Sequence, residues 1–303
     1  MNQRKPFVTY YVNTFNRINL LKNLLRSFDA CNVYDGPFEW IISDYGSRDG
    51  TREFLVDYSN KVNNVTILLS NESDYFEYLD KKGVGLPDKR KKMHSIFGMF
   101  RNQIRKISKG DIFVEIADDH QFIRRCDWIS EAMSIMAHRE EKYNIKDISS
   151  IIYRGLSHQR ILKKNNKTEA IEITKDGVEY FTAIYKCYDD YHIQHREMYE
   201  KIGPYAEVDK IKDREILDHW LSGVNGVNHY SDYLARTKEM GLKKIFMKYP
   251  CAIDFPNYTH DNLNKERDDL IVPIFENDEI KSIFSSLDRP VSSDEIFSNR
   301  GAL

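Results

Sequence analysis

Two stretches of the chain set carboxylates where they could do chemistry. IISDYGSRDGT, residues 41–51, runs two isoleucines into Asp44, then Gly46, Ser47 and Asp49. IFVEIADDHQF, residues 112–122, ends an apolar run in Asp118, Asp119 and His120. A carboxylate at such a position can accept hydrogen bonds from the N–H groups of a base or the hydroxyls of a sugar. Gly46 and Ser47 let the backbone turn tightly and come close to a ligand. Adjacent acids can also hold a hard cation, because Mg2+ or Mn2+ takes one or two carboxylates and fills the remaining positions with water and phosphate oxygens. Taken alone, both stretches also read as turn, cap and solvated-loop chemistry, for which Asp, Gly and Ser are ordinary residues.

The surrounding pattern says what must position these acids. PFVTYYV (6–12) predicts a first strand, and Leu20, Leu21, Leu24, Leu25 and Phe28 then recur on one helical face. EWIIS (39–43) is a second strand, a helix starts at Thr51, and VTILLS (65–70) is a third strand. That alternation predicts a mainly parallel sheet flanked by helices, with ligands in the crevice beyond the carboxyl ends of its strands. Residues 71–92, with Gly83, Gly85 and Pro87 among many charges, read as a loop insertion. A helix over 93–108 and a buried strand over 112–116 follow, and Asp127 caps the next helix. ISSIIYR (148–154) resumes the sheet. The second half is less regular: 163–177 reads as a hairpin or excursion, 213–221 as a helix, and 266–303 as a polar tail.

Whole-chain totals narrow the class. The 303 residues carry 45 Lys plus Arg against 47 Asp plus Glu, a formal net charge of -2, so overall charge favours no polyanionic partner. Cys31, Cys126, Cys187 and Cys251 are far apart, which suits a reducing compartment and leaves no CxxC zinc signature. The N-terminal stretch has no long apolar segment of the secretory kind, and no apolar run approaches the ~18 residues of a membrane span. A soluble cytoplasmic protein is expected. No GxGxxG follows the first strand and no GxxxxGK[ST] occurs, which argues against a dinucleotide dehydrogenase and a phosphate-loop NTPase.

Four segments, in order, resemble the nucleotide-sugar glycosyltransferases of the GT-A fold, and are similar to the inverting family two. VTYYVNTFNRINLLKNLL resembles the family's opening strand, loop and Leu-rich helix; Thr14, Phe15, Asn16 and Arg17 match, and Asn13 stands where Pro is usual. WIISDYGSRDGT matches at Asp44, Gly46, Ser47, Asp49, Gly50 and Thr51, with Tyr45 replacing a second acid. FRNQIRKISKGDIFVEIADDHQF matches at Arg101, Asn102, Gly110 and Asp111, with Ala117 at the first acid of the D-x-D signature. REMYEKIGPYAEVDKIKDREILDHWL matches at Ile202, Gly203, Tyr205, Glu207, Asp213 and Glu215, with Lys212 replacing an acid.

The resemblance implies a Rossmann-like GT-A catalytic domain over 1–265: a nucleotide-sugar-binding half (1–125), an acceptor half (126–265), and the tail outside it. It implies a nucleoside-diphosphate sugar as donor, bound by Thr14, Phe15, Asn16, Arg17, Asp44, Gly46, Ser47, Arg101 and Asp118. Asp119 and His260 would hold Mn2+ or Mg2+; His120 could compensate for the missing acid at Ala117, or be turned away as the next residue along the strand end. Asp213 would be the base of an inverting transfer, with Glu215 or Glu207 in reserve; alone, Asp213 also reads as a helix N-cap. The acceptor is a glycan or another hydroxyl compound. DKRKK (88–92), with Arg101, Arg105, Lys106, Arg124 and Arg125, leaves open an acceptor such as a hydroxylated base in DNA. The replacements at Asn13, Tyr45, Ala117 and Lys212 leave open a catalytically inactive nucleotide- or glycan-binding protein.

Overall fold

A computed structural model of the chain describes residues 4–70, 89–155, 170–182, 191–205 and 229–254. Its first half alternates strand and helix: β1 (Val8–Thr14), α1 (Ile18–Cys31), β2 (Phe38–Asp44), α2 (Thr51–Lys61), β3 (Val65–Leu69), α3 (Lys89–Ile107) and β4 (Ile112–Ala117). The short strand β5 (His120–Phe122) and α4 (Trp128–Tyr143) follow. Next come β6 (Ile148–Ile152), β7 (Arg154–Gly155), β8 (Glu172–Ile173), β9 (Glu179–Thr182), β10 (Ile193–His195), α5 (Arg196–Ile202), α6 (His229–Glu239), β11 (Lys243–Met247) and β12 (Ala252–Asp254).

Nine strands form one sheet in the order β3-β2-β1-β4-β10-β6-β11-β9-β8. The first four run parallel, as do β6 and β11, while β10 and β9 run against their neighbours. The expected mixed α/β architecture with a mainly parallel central sheet is therefore present. β5, β12 and β7 form a second, small sheet that continues the chain beyond the tip of β4.

The strands are apolar on both sides because both faces are covered. Alternate residues of β1 diverge: Tyr10 and Val12 join Leu21, Leu24, Phe28, Trp40, Phe122 and Trp128 in the main core. Tyr11 faces the other way, into a smaller core with Ile41, Ile104 of α3 and Phe113. The leucines of α1 are buried in the spacing that the sequence predicts. Asp127 caps α4 by accepting from Ser130 N at 3.0 Å.

Two expectations change in detail. The insertion ends earlier than 92, because α3 begins at Lys89. Gly83, Gly85 and Pro87 precede that point, whereas Lys and Arg are good helix formers. The run 148–154 splits into β6 and β7 around Tyr153, whose hydroxyl donates to the Glu115 carbonyl at 2.9 Å. Of the hairpin or excursion expected over 163–177, residues 163–169 lie outside the described residues; the remainder holds β8, which pairs with β9 beyond the expected range across a turn in which Gly177 N donates to Thr174 O at 3.0 Å. The helix expected over 213–221 and the tail 266–303 lie outside the described residues. Among the described residues no helix is long and apolar enough to cross a membrane.

Candidate active site

The chain winds outward from β1 through β2 to β3, then returns to place β4 on the opposite side of β1. This reversal is a topological switch point, where the loops beyond adjacent strands part to leave a crevice. Register brings three strand tips level there. Thr14 lies opposite Asp44, and Asn13 lies between Ser43 and Ala117. The two acidic stretches separated in sequence thus share one edge.

Asp44 is fully buried and closes its own turn. Its Oδ2 accepts from Gly46 N and Ser47 N, each at 3.0 Å, and its Oδ1 accepts from the Ser47 hydroxyl. Gly46 has φ 97°, a left-handed conformation that glycine takes without strain. Arg52 Nη1 reaches Asp44 Oδ2 at 3.5 Å and donates to Ser70 O at 2.6 Å. The β1 loop is sewn to this turn: Asn16 N donates to Ser47 Oγ at 2.8 Å, and Arg48 N donates to Asn16 Oδ1 at 2.7 Å. Asp49 accepts from Ile18 N at 3.0 Å and Thr51 N at 3.1 Å, so one carboxylate serves the starts of both α1 and α2. Asp49 therefore has the turn-and-cap role. Phe15 is buried behind the same loop.

On the other side of β1, Asp118 accepts from Thr14 Oγ1 at 3.0 Å and from Arg17 Nη1 at 2.7 Å. The same Nη1 lies 3.5 Å from Asp119 Oδ2. The Asp118 carboxylate holds the Arg17 guanidinium firmly in its charged form. Two carboxylates at one strand tip, one of their two charges balanced by a guanidinium, are a hard-oxygen donor set of the kind Mg2+ or Mn2+ uses. These residues fit such an ion.

Other residues are placed differently from expectation. Arg101 is 3% exposed and donates from Nε to Glu115 Oε1 at 2.5 Å, on the α3 face of the sheet rather than at the strand tips. Arg105 is buried beside it, and Arg124 is paired with Glu131 at 2.7 Å, so these three arginines add nothing to a basic surface. His120 is fully buried, its Nδ1 3.0 Å from the Tyr153 hydroxyl and its ring edge-on to Tyr191 at 5.0 Å. It faces the interior. Tyr45, in place of an acid, turns inward too, its ring 4.4 Å from Phe100 of α3. Asp213, Glu215, Glu207 and His260 lie outside the described residues.

The sequence reading missed three groups. Arg52 backs Asp44, and only its place one residue into a helix marks it. Tyr191 enters β10 beside the acids; burial, then the charge of Asp119, pushes its phenol well above the usual range. In sequence it is merely the end of a tyrosine-rich run. Asn13 Oδ1 and Ser43 Oγ, register partners at the tips of β1 and β2, are buried with no hydrogen-bond partner among the described residues. Buried polar atoms are rarely left so.

No protein-family description matches this chain, and no curated protein matches it. Solved structures do. S. aureus TarS 1-349 aligns over 82% of this chain and 60% of its own, at 14% identity and a TM-score of 0.47. Its complex with UDP gives 81%, 59%, 14% and 0.46. The mannosyltransferase PcManGT from Pyrobaculum calidifontis, in complex with GDP-Man and Mn2+, aligns over 99% of this chain and 81% of its own, at 11% identity and a TM-score of 0.46. The chain thus spans less than two thirds of the TarS structures.

Proposed function

We propose that the chain is a GT-A-fold glycosyltransferase that moves a sugar from a nucleoside-diphosphate donor to a hydroxyl acceptor. One observation carries the reading: the loops after β1, β2 and β4 meet at the switch point and bring Arg17, Asp44, Asp118 and Asp119 to one edge. In sequence these same loops hold the motifs that resemble the family. The catalytic unit is residues 1–265, and a reducing cytoplasmic compartment fits Cys31, Cys126 and Cys251 as free thiols.

The turn closed by Asp44, Gly46 and Ser47, with the loop Thr14 to Arg17, receives the base and ribose. Asn13 and Ser43 offer that region polar atoms that have no hydrogen-bond partner among the described residues. Asp118 orients the ribose or donor sugar, while Asp119 and His260 hold Mn2+ or Mg2+. When bound, the ion supplies Lewis acidity to the departing diphosphate. Asp213 takes the proton from the acceptor hydroxyl as its oxygen forms a bond to the anomeric carbon. The bond from that carbon to the diphosphate oxygen breaks, the electron pair leaves with the nucleoside diphosphate, and configuration inverts. Glu215 is the reserve base.

The test is a thermal-shift screen of nucleoside diphosphates and sugar nucleotides with Mn2+, Mg2+ or EDTA, followed by turnover of the stabilising compounds. A metal-dependent shift is expected, lost in Asp119→Ala. Asp213→Ala should bind the donor normally while kcat falls by about 10²–10⁴-fold. A donor that binds wild type but is never turned over supports instead an inactive nucleotide-binding protein. If no nucleotide shifts the melting temperature under any metal condition, the donor-site reading fails.

A further inference from the structure

We propose that Arg17 is a built-in counter-cation for Asp118 and Asp119, which releases Asp119 to a divalent ion and Asp118 to the donor only when a diphosphate arrives to receive its guanidinium. The inference rests on the donor-site reading above. Arg17 stands at the N-cap position of α1, where a guanidinium, having no acceptor, cannot cap the helix amides. Asp49 of the adjoining β2 turn serves the α1 amide at Ile18, and the Arg17 side chain reaches the opposite strand tip. There its Nη1 lies 2.7 Å from Asp118 Oδ1 and 3.5 Å from Asp119 Oδ2. The three side chains are 17%, 7% and 19% exposed, so the cluster is shielded from bulk water and salt. Thr14 Oγ1 occupies the other oxygen of Asp118 at 3.0 Å.

A guanidinium and a dication compete for the same oxygens. A metal ion alone would have to break a largely buried ion pair and leave Arg17 charged beside it, which is unfavourable. A nucleoside diphosphate changes the balance in two ways. Its oxygens re-pair the guanidinium in the forked geometry that arginine favours, and they complete the oxygen shell of the ion. Metal and nucleotide therefore bind with positive coupling, and by reciprocity each tightens the other by the same factor. Without a donor, Arg17 keeps the acids closed to stray cations.

The experiment measures free Mn2+ by electron paramagnetic resonance during titration of the full chain, with and without UDP or GDP. Wild type should bind Mn2+ weakly alone and about tenfold or more tightly with the preferred nucleotide. Arg17→Met should bind Mn2+ alone about tenfold more tightly than wild type and lose most of the coupling. Its melting temperature should fall in EDTA and recover in Mn2+, a rescue that a merely structural arginine would not give. Arg17→Lys should lie between the two, and it decides the matter if Arg17→Met does not fold. Unchanged or weaker metal-only affinity in these variants, with coupling intact in wild type, overturns the proposal and leaves the donor-site reading standing. Wild type that binds neither Mn2+ nor nucleotide overturns both.

Discussion

Glu115 is the one acid that the central strand β4 turns toward α3, and it is 1% exposed. Arg101 pairs with it at 2.5 Å and the Tyr11 hydroxyl donates to its Oε2 at 2.7 Å. Arg105 lies next to this pair, donating to Gln194 Oε1 at 2.5 Å and Tyr11 Oη at 3.0 Å. Its guanidinium stacks on Tyr199 at 4.3 Å and Phe113 at 4.8 Å. Removing the carboxylate charge would take from the buried Arg101 its charged partner at 2.5 Å and from Arg105 a nearby compensating charge. Glu115→Gln is therefore expected to lower unfolding free energy by about 3–5 kcal/mol, the usual loss on breaking one side of a buried pair. Urea denaturation measures it. The control is Glu197→Gln, which breaks an exposed 2.8 Å pair with Lys146 and should change stability by less than ~1 kcal/mol. Equal effects would show that burial is not what gives the Glu115 pair its weight.

Elements depend on how closely their strands approach. Gly110, just before β4, donates from its N–H to Thr9 Oγ1 at 2.9 Å. A Cβ there would meet Thr9 N at 2.5 Å and the Ile112 carbonyl at 2.8 Å, both backbone atoms that have no rotamer to escape into. Gly110→Ala should push β4 away from β1, destabilise by about 1–3 kcal/mol, and weaken nucleotide binding through the level tips of Thr14 and Asp118. Loss of stability without loss of binding would separate strand spacing from the site. The same close strands explain what the sequence made legible. β1 and β2 follow their apolar patterns within two residues at each end, α1 contains the predicted leucine face, and α2 starts at Thr51 as expected. β10 has only three residues and runs antiparallel between β4 and β6, too short for periodicity to register. The convergence of Asp44 with Asp118 and Asp119 was legible because parallel strands must end on one edge. The burial of Asp44, and the pairing of Arg101 with Glu115, were not. They depend on which hydrogen-bond donors the fold brings up, and sequence spacing does not encode that.

At the scale of the whole molecule, aromatic residues dominate the interior, and many bring ionisable groups with them. Burial pushes the phenols of Tyr34 and Tyr58 up to about 12, and the Cys126 thiol up to about 12. Burial also raises Tyr10, Tyr11, Tyr205 and Cys251 well above their ordinary values. These groups stay protonated in the folded chain, while in the unfolded chain thiols ionise near ~8.5 and phenols near ~10. Above those values the unfolded state binds fewer protons than the folded state, so the slope of unfolding free energy with pH is negative. Their contribution is flat through neutral pH, begins to fall near ~9 as unfolded thiols ionise, and falls more steeply beyond ~10 as unfolded phenols follow. Urea midpoints at pH 7, 9, 10 and 10.8 should trace that curve. Cys126→Ser should flatten its first part, because a serine hydroxyl does not ionise in this range. A midpoint that stays constant to pH 10.8 would mean that the unfolded chain keeps these groups as protonated as the folded one does. The tyrosines and cysteines would then be buried in both states, and the two-faced core around β1 would not be what unfolding exposes.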